Sequence, residues 1–389
     1  MTRTALPAIL TVLLAASCLV SGIFHPVLNY DAIPYAALAK QLRGAGGKSE
    51  AYQEMAAKVG DRRFQIYITE PYRERMYRDD QFFKINLPLY TIRPLYIALC
   101  SAVGALIHND IAATHVVSAF STALAILLSY FLAGALGLAR PWRLAVPLIW
   151  IACGAINLAG LSTPDAVETL LTLLFVLVSS AGPWKGLRIL WLALIAILMV
   201  ADRTDAVLLL GFLLLAEWGL EKRHQLAAVT VLAVTAITYL VIQRLSRNDG
   251  YIAVLNFQLI EDRAHTVVPN VIPNLHGYLV AVVRGLEQVL GRGYEAPLYT
   301  VALSLLIFAG LRARPQNALA PVDGCSPRVL ILCVGLACYL VVRFALFPAP
   351  LARYVMGSYV LAGILFVRTM QAGARLAADA PIGADPPSL

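Results

Sequence analysis

The sequence carries little charge for its length. Only 14% of its 389 residues are Asp, Glu, Lys or Arg, whereas 59% are hydrophobic. A soluble domain of this size would need far more charge to cover its surface. The apolar residues also fall in blocks of roughly 15–25, the length that crosses a bilayer as a helix. Backbone amides cannot stay unpaired in lipid, so the sequence predicts an all-α, polytopic membrane protein.

Three other features are missing. No cluster of Lys and Arg exceeds a few residues, so the net charge of +8 indicates a positive-inside bias and a basic loop, not nucleic-acid binding. The six cysteines show no CxxC or CxxH spacing, which argues against a zinc site and a disulfide framework. No internal repeat of fixed period is visible, which disfavours a transporter built from inverted repeats.

Orientation follows from the short loops, in which Lys and Arg mark the inside. With Arg3 inside, the first apolar block is predicted to be an uncleaved transmembrane helix, and a signal peptide is the alternative. The pattern predicts ten spans with both termini inside. The predicted spans are approximately 5–24, 112–138, 144–160, 166–182, 186–201, 206–219, 225–243, 297–311, 328–346 and 354–370.

One further block, 94–107, is too short to span. Its 14 residues would rise about 21 Å as a helix, less than a hydrocarbon core of about 30 Å. We therefore predict that it lies in the outer interface, as does the stretch 276–290, which carries charges mid-way. The chain is then a single transmembrane domain over 1–375, with outer loops 26–110 and 244–296. The remaining 376–389 form a Pro-, Ala- and Gly-rich tail that we expect to be disordered in the cytoplasm.

Charged residues collect in the predicted outer turns. The first loop, 26–90, holds 18 of the protein's 54 charges. Four separate turns bring carboxylates or guanidinium groups to the same membrane face. They contain Asp31; Asp165, with Glu168 one turn later; Asp202, Arg203 and Asp205; and Arg353 with Tyr354.

Each of these residues has a structural alternative. Asp31, Asp165 and Asp205 each precede a helix and could serve as N-caps. Arg203 could pair with Asp202 or Asp205 and merely neutralise its turn. The convergence of four turns favours function more than any single residue does.

Such a set of groups suits one chemistry in particular. A carboxylate at the membrane surface can take a proton from an attacking hydroxyl. Arginines beside it can bind phosphate through forked, charge-assisted hydrogen bonds. A lipid phosphate is the natural substrate here, because its tail can lie between helices. This combination indicates a sugar transferase that uses a polyprenyl-phosphate donor.

The sequence resembles the C-type (GT-C) membrane glycosyltransferases over most of residues 5–370. The resemblance rests on Asp31 just after the first helix, followed by Tyr35 and Ala39, and on the Pro94-Leu95 element within Tyr90–Tyr96. It also rests on the acidic turn Ser162-Thr163-Pro164-Asp165 and on Arg353-Tyr354 after a proline-containing turn.

This resemblance implies a fold with two interfacial helices in the first loop. It also implies that Asp31 is the catalytic base or helps to bind a metal. Many members have a paired acidic motif, whereas Ala32 follows Asp31 here, so no cofactor is predicted with certainty and a divalent metal is left open.

The remaining candidates receive roles around that base. Asp165 and Asp202 or Asp205 would orient the acceptor or the base. Arg93, Arg203 and Arg353 would bind the donor phosphate, with Tyr35 and Tyr354 beside them. The predicted partners are a polyprenyl-phosphate-linked sugar, membrane lipid, and an acceptor glycan, lipid or protein.

Two other functions are weighed against this one. A transporter or lipid flippase would carry charges mid-way along its helices, and here the helix middles are nearly free of charge. A non-catalytic assembly protein would use the first loop only to dock a partner. The high Ala content and the inside arginines are typical of a bacterial inner membrane, so the site would face the periplasm.

Overall fold

The computed structural model describes residues 5–247, 275–291, 295–313, 327–348 and 352–378. Within these ranges the chain is helical and forms no strand, and a single parallel bridge joins Val27 to Leu161. The first nine helices are α1 Leu6–Phe24, α2 Ala32–Leu42, α3 Lys48–Val59, α4 Asp61–Phe64, α5 Pro71–Arg78, α6 Asp80–Asn86, α7 Pro88–Thr91, α8 Pro94–Ile107 and α9 Asp110–Ala135.

The second half continues the bundle. Its helices are α10 Ala145–Ala152, α11 Ala155–Gly160, α12 Asp165–Ser180, α13 Leu187–Asp202, α14 Ala206–Leu220, α15 Gln225–Ser246, α16 Leu275–Gly291, α17 Glu295–Arg312, α18 Pro327–Leu346 and α19 Met356–Ala378. Short 3₁₀ turns lie at Gln65–Tyr67, Arg140–Leu144, Lys222–His224 and Ala352–Val355. The predicted tail begins inside α19, and its residues 379–389 lie outside the described residues.

The prediction of ten spans is wrong. Within the described residues, five helical segments are long and apolar enough to cross a membrane, or six if the bent pair Asp80–Thr91 and Pro94–Ile107 counts as one span. The five segments are Leu6–Phe24, Asp110–Ala135, Lys222–Ser246, Pro327–Leu346 and Arg353–Arg375. The chain is thus a helical protein with several apolar helices suited to a membrane.

The physical reason is helix length. Helices α12 and α13 have 16 residues each and α14 has 15, so each rises only about 24 Å or less. The predicted span 144–160 is broken into two short helices. The break falls at Gly154, whose φ of +79° no ordinary helix contains.

The predicted interfacial helix 94–107 matches α8 in both bounds, and the predicted stretch 276–290 falls within α16. Helix α8 follows α6 and α7 after a bend of 106° at Ile92–Arg93. Their position relative to a membrane stays a prediction.

The first loop folds into a unit with its own aromatic core. Helices α2 to α6 bury Tyr30, Tyr52, Phe64, Tyr72, Phe82 and Phe83 against one another. An ionic cluster fastens this unit to α9. Asp110, 1% exposed, accepts from Lys40 at 3.0 Å and from Arg43 at 2.7 Å. Glu54 accepts from Lys40 at 2.6 Å and from the Asp110 backbone N–H at 2.9 Å.

The bundle is built from long helix–helix contacts: α1 packs along α9, α9 along α12, and α14 along α18. Helices α12, α14 and α18 are tied together at both ends. At one end Arg328 contacts Glu217 and Ser179, and His224 Nδ1 lies 2.5 Å from Glu217 Oε1. The other end, called the site end below, carries the residues that the sequence singles out.

Candidate functional site

Arg203 is the centre of an ionic cluster at the site end. Helix α13 ends at Asp202, and the extended backbone of Arg203 turns its side chain toward the first turn of α12. Its guanidinium contacts Asp165, lies 3.4 Å from Glu168 and donates to Asp205 at 2.8 Å. Asp165, Glu168 and Arg203 are each at most 5% exposed, whereas the Asp205 side chain is 32% exposed.

Helix capping does not explain these carboxylates. Asp31 and Asp205 stand at the N-cap positions of α2 and α14, but neither side chain accepts a hydrogen bond from the first turn. Asp165 is the first residue of α12, and its carboxylate accepts from the Thr163 hydroxyl at 2.6 Å. Asp165 and Asp205 are therefore bound to other side chains and not to the helix ends, and the Asp31 side chain does not cap its helix either.

Two further arginines complete the cluster. Arg353 Nε lies 3.8 Å from Asp165 Oδ2, and its Nη2 donates to the Tyr354 hydroxyl at 3.1 Å. Arg343, on α18 and 6% exposed, lies 3.6 Å from Asp205 Oδ2. The Tyr354 ring has three guanidinium carbons near its centre: Arg203 at 4.8 Å, Arg353 at 4.9 Å and Arg343 at 5.5 Å. The three guanidinium groups thus converge on one ring, within the range of cation–π attraction.

Arg343 was missed by the sequence reasoning. It lies inside the predicted span 328–346, where the block reads as a plain apolar helix. An arginine within an apolar segment is expensive and usually faces a partner or a cavity, so it was a signal in its own right.

Asp31 belongs to a second group of contacts, which is formed with tyrosines of the first loop. The Tyr90 hydroxyl lies 3.4 Å from Asp31 Oδ1, and the Tyr90 ring stands edge-on to Tyr35 at 5.3 Å. Tyr35 in turn accepts from Arg93, and the Tyr96 ring packs on its other side at 4.8 Å. Burial raises the pKa of Tyr35, so this phenol stays protonated.

The Arg203 cluster and the contacts around Asp31 are close enough to interact. Asp31 and Asp165 both act electrostatically on Tyr35, on Arg93 and on Arg353. The structure therefore brings the predicted turns around Asp31, Arg93, Asp165, Arg203 and Arg353 into one site.

Asp202 is placed differently from its neighbours. It is fully buried, and neither of its carboxylate oxygens has a hydrogen-bond partner among the described residues. Of the two pairings considered for Arg203, the structure has the one with Asp205 and no contact of ion-pair length to Asp202 within the described ranges. Asp202 interacts with the cluster only at longer range, by the electrostatic effect of four charged groups on its carboxyl: Glu168, Arg203, Asp165 and Arg93.

The charge of Asp205 is fixed by its arginines. Burial acts to raise the pKa of this carboxyl, but the charge and hydrogen bonds of Arg203, with Arg343 behind them, hold it below its ordinary range. Asp205 is therefore an anion at any physiological pH.

The acidic residues do not form a metal site. In the part of the chain that the structure describes, no three His, Cys, Asp or Glu side chains are grouped to hold a metal ion. Asp165 and Asp205 are already bound to guanidinium groups, which compete with a cation for the same oxygens. The donor set does not fit a divalent metal.

No family model, curated protein or solved structure matches this chain.

Proposed function

We propose that this protein is an inverting glycosyltransferase that moves a sugar from a polyprenyl-phosphate donor to an acceptor hydroxyl at the outer membrane face. The proposal rests on one observation. A carboxylate without an ion-pair partner among the described residues lies in the same site as guanidinium groups whose N–H donors are not all used by carboxylates. A base for the acceptor and a holder for the phosphate are the two parts that this reaction needs.

Asp31 is suited to be the base. It is half-buried, and no cation lies within 4 Å of it among the described residues. Its one hydrogen bond there, from Tyr90, is long at 3.4 Å. Asp31 therefore keeps carboxylate lone pairs for an incoming hydroxyl.

Arg93 and Arg353 are suited to hold the phosphate. Arg93 has no carboxylate within ion-pair distance in the described ranges and spends one N–H on the Tyr35 hydroxyl. Arg353 is 25% exposed in its side chain and lies 3.8 Å from its nearest carboxylate. Arg203, in contrast, is surrounded by three carboxylates. We therefore assign Arg203 a structural role in the site, and we assign phosphate binding to Arg93 and Arg353.

The reaction then balances within the site. The acceptor oxygen forms a bond to the anomeric carbon from the side opposite the phosphate, and the bond from that carbon to the phosphate oxygen breaks. The acceptor proton passes to Asp31, and the polyprenyl phosphate leaves with one more negative charge. Arg93 and Arg353 stabilise that charge as it develops.

The other acidic residues orient the reactants. Asp165 contacts Arg203 and Arg353, and Asp205 contacts Arg203 and Arg343. The Asp202 carboxylate has no hydrogen-bond partner among the described residues. The setting we propose is the periplasmic side of a bacterial inner membrane, where the lipid donor lies in the bilayer and the acceptor approaches from water.

Binding of a lipid phosphate tests the proposal without knowledge of the sugar. Purified protein in detergent is titrated with polyprenyl phosphate and with the uncharged polyprenol. We expect binding of the phosphate alone, weakened at least tenfold in Arg93→Gln and in Arg353→Gln. Arg62→Gln, an exposed arginine of the first loop, is the matched control. Equal binding of polyprenol and its phosphate would remove the proposal.

A further inference from the structure

Helix α16, Leu275–Gly291, has three distinct faces. Successive residues turn by about 100°, so residues three or four apart share a face. One face, with Gly285 and Tyr278, packs against the protein, and a second carries the exposed charges Arg284 and Glu287. The third face carries Leu275, Leu279, Val283 and Leu286, which are 72%, 50%, 52% and 44% exposed. These four side chains, the α16 stripe, form an apolar strip about 16 Å long.

The packed face of α16 rests on the end of α18 at the candidate site. The Tyr278 hydroxyl donates to the Ala345 carbonyl. At Gly285 the backbone passes so close that a Cβ would meet the Pro348 carbonyl and the Phe344 ring. This contact needs glycine, so the position of α16 on Phe344–Pro348 is a specific one.

That segment of α18 also borders the phosphate-holding groups. Arg343 lies one turn before Phe347, and its guanidinium carbon is 4.6 Å from the Phe347 ring centre. The Phe347 ring stands edge-on to Tyr354 at 6.3 Å, and Tyr354 accepts from Arg353. The helix that carries the stripe is therefore seated on the segment that borders these guanidinium groups.

We propose that the α16 stripe binds the prenyl chain of the lipid-phosphate donor, so that α16 guides the tail while the arginines hold the head. This inference rests on the proposed function. It also explains the layout of α16. An interfacial helix that met only bulk lipid would need no specific seat, whereas this one is fixed beside the arginines by Tyr278 and Gly285.

Chain length separates this proposal from the one it rests on. The affinity of the purified protein is measured for a 55-carbon polyprenyl phosphate and for a five-carbon prenyl phosphate. The double variant Leu279→Asn, Val283→Asn is compared with Glu287→Gln on the charged face. We expect the double variant to bind the long lipid at least tenfold more weakly and the short one unchanged, with Glu287→Gln like the parent.

The outcomes are distinct. An unchanged affinity of the double variant for the long lipid would overturn the role of the stripe and leave the phosphate site standing. Failure of the parent to bind either phosphate would overturn both proposals.

If the double variant does not fold, a second measurement on the parent protein tests the same proposal. The parent protein is irradiated with a polyprenyl phosphate that carries a diazirine near its head. We expect label within 275–287 that unlabelled polyprenyl phosphate displaces. Label that is not displaced would mean that the stripe meets bulk lipid only, and would overturn the inference.

Discussion

Arg203 forms a bidentate salt bridge with Asp205, in which Nε donates to Oδ1 at 3.0 Å and Nη2 donates to Oδ2 at 2.8 Å. The same guanidinium contacts Asp165 on a different helix, so one side chain joins the start of α12 to the start of α14. Only the planar fork of arginine can make both contacts at once.

Replacing this arginine should therefore destabilise the fold. In Arg203→Lys, a compact ammonium cannot reach Asp165 and Asp205 together, and at least one buried carboxylate loses its partner. We expect the free energy of unfolding to fall by about 3–5 kcal/mol, the usual cost of breaking a buried ion pair. Melting temperature in detergent measures the loss, with Arg62→Lys as the exposed control. A variant as stable as the parent would show that the contact is dispensable.

The low pKa of Asp205 predicts a loss of stability in acid. A carboxyl whose folded-state pKa is lowered stabilises the fold above its unfolded pKa of about 3.9, and this contribution is lost as the pH falls further. Melting temperature should thus be insensitive to this group from pH 5 to pH 8 and should decline below about pH 4. In Asp205→Asn the acid decline should be shallower than in the parent. An identical slope in both proteins would show that Asp205 is not the titrating group.

The first loop is fastened through Asp110, and Gly104 of α8 leaves the space for that carboxylate. A Cβ at Gly104 would overlap Asp110 Oδ1. We expect Gly104→Ala to loosen the loop and to speed its cleavage by added protease at least severalfold. Gly211→Ala on α14, where a Cβ would meet no atom within 4 Å, is the matched control. Equal cleavage of the two variants would contradict the role given to Asp110.

The side of the membrane on which α8 ends is open to a labelling test. Asn109 follows His108, which leaves the helix in a left-handed conformation, and it caps α9 through the Ala112 N–H at 2.7 Å. We expect Asn109→Cys in intact cells to react with an impermeant thiol reagent added from outside. Arg140→Cys should stay protected until the membrane is opened. Protection of position 109 would place this turn on the other side.

Sequence pattern predicted the helices better than their role in a membrane. The bounds of α8 follow from Pro94 at its start and His108-Asn109-Asp110 after its end, which are local signals. The span count failed because hydropathy reports how apolar a block is, whereas crossing depends on unbroken length. Gly154 breaks one apolar block, and α12, α13 and α14 stop short in polar turns whose importance comes from tertiary contacts.

The site shows the same division. Asp31, Asp165, Arg203 and Arg353 could be named from the sequence because charges are rare near apolar helices. The sequence could not decide which partner each of them takes. Arg203 pairs with Asp205 and not with Asp202, and Arg343 reaches the cluster from within α18. Both contacts depend on the rotational orientation of each helix about its own axis in the bundle.

The most direct test of the account is sugar transfer by Asp31→Asn. Parent and variant in liposomes are supplied with polyprenyl-phosphate-linked hexoses and pentoses as donors and with a crude cell-envelope extract as the source of acceptor. The release of polyprenyl phosphate is followed, with Asp61→Asn as the matched exposed control. If Asp31 is the base, its amide should lower turnover by roughly 10²-fold or more while phosphate binding and melting temperature stay as in the parent. Turnover by Asp31→Asn close to that of the parent would contradict the mechanism.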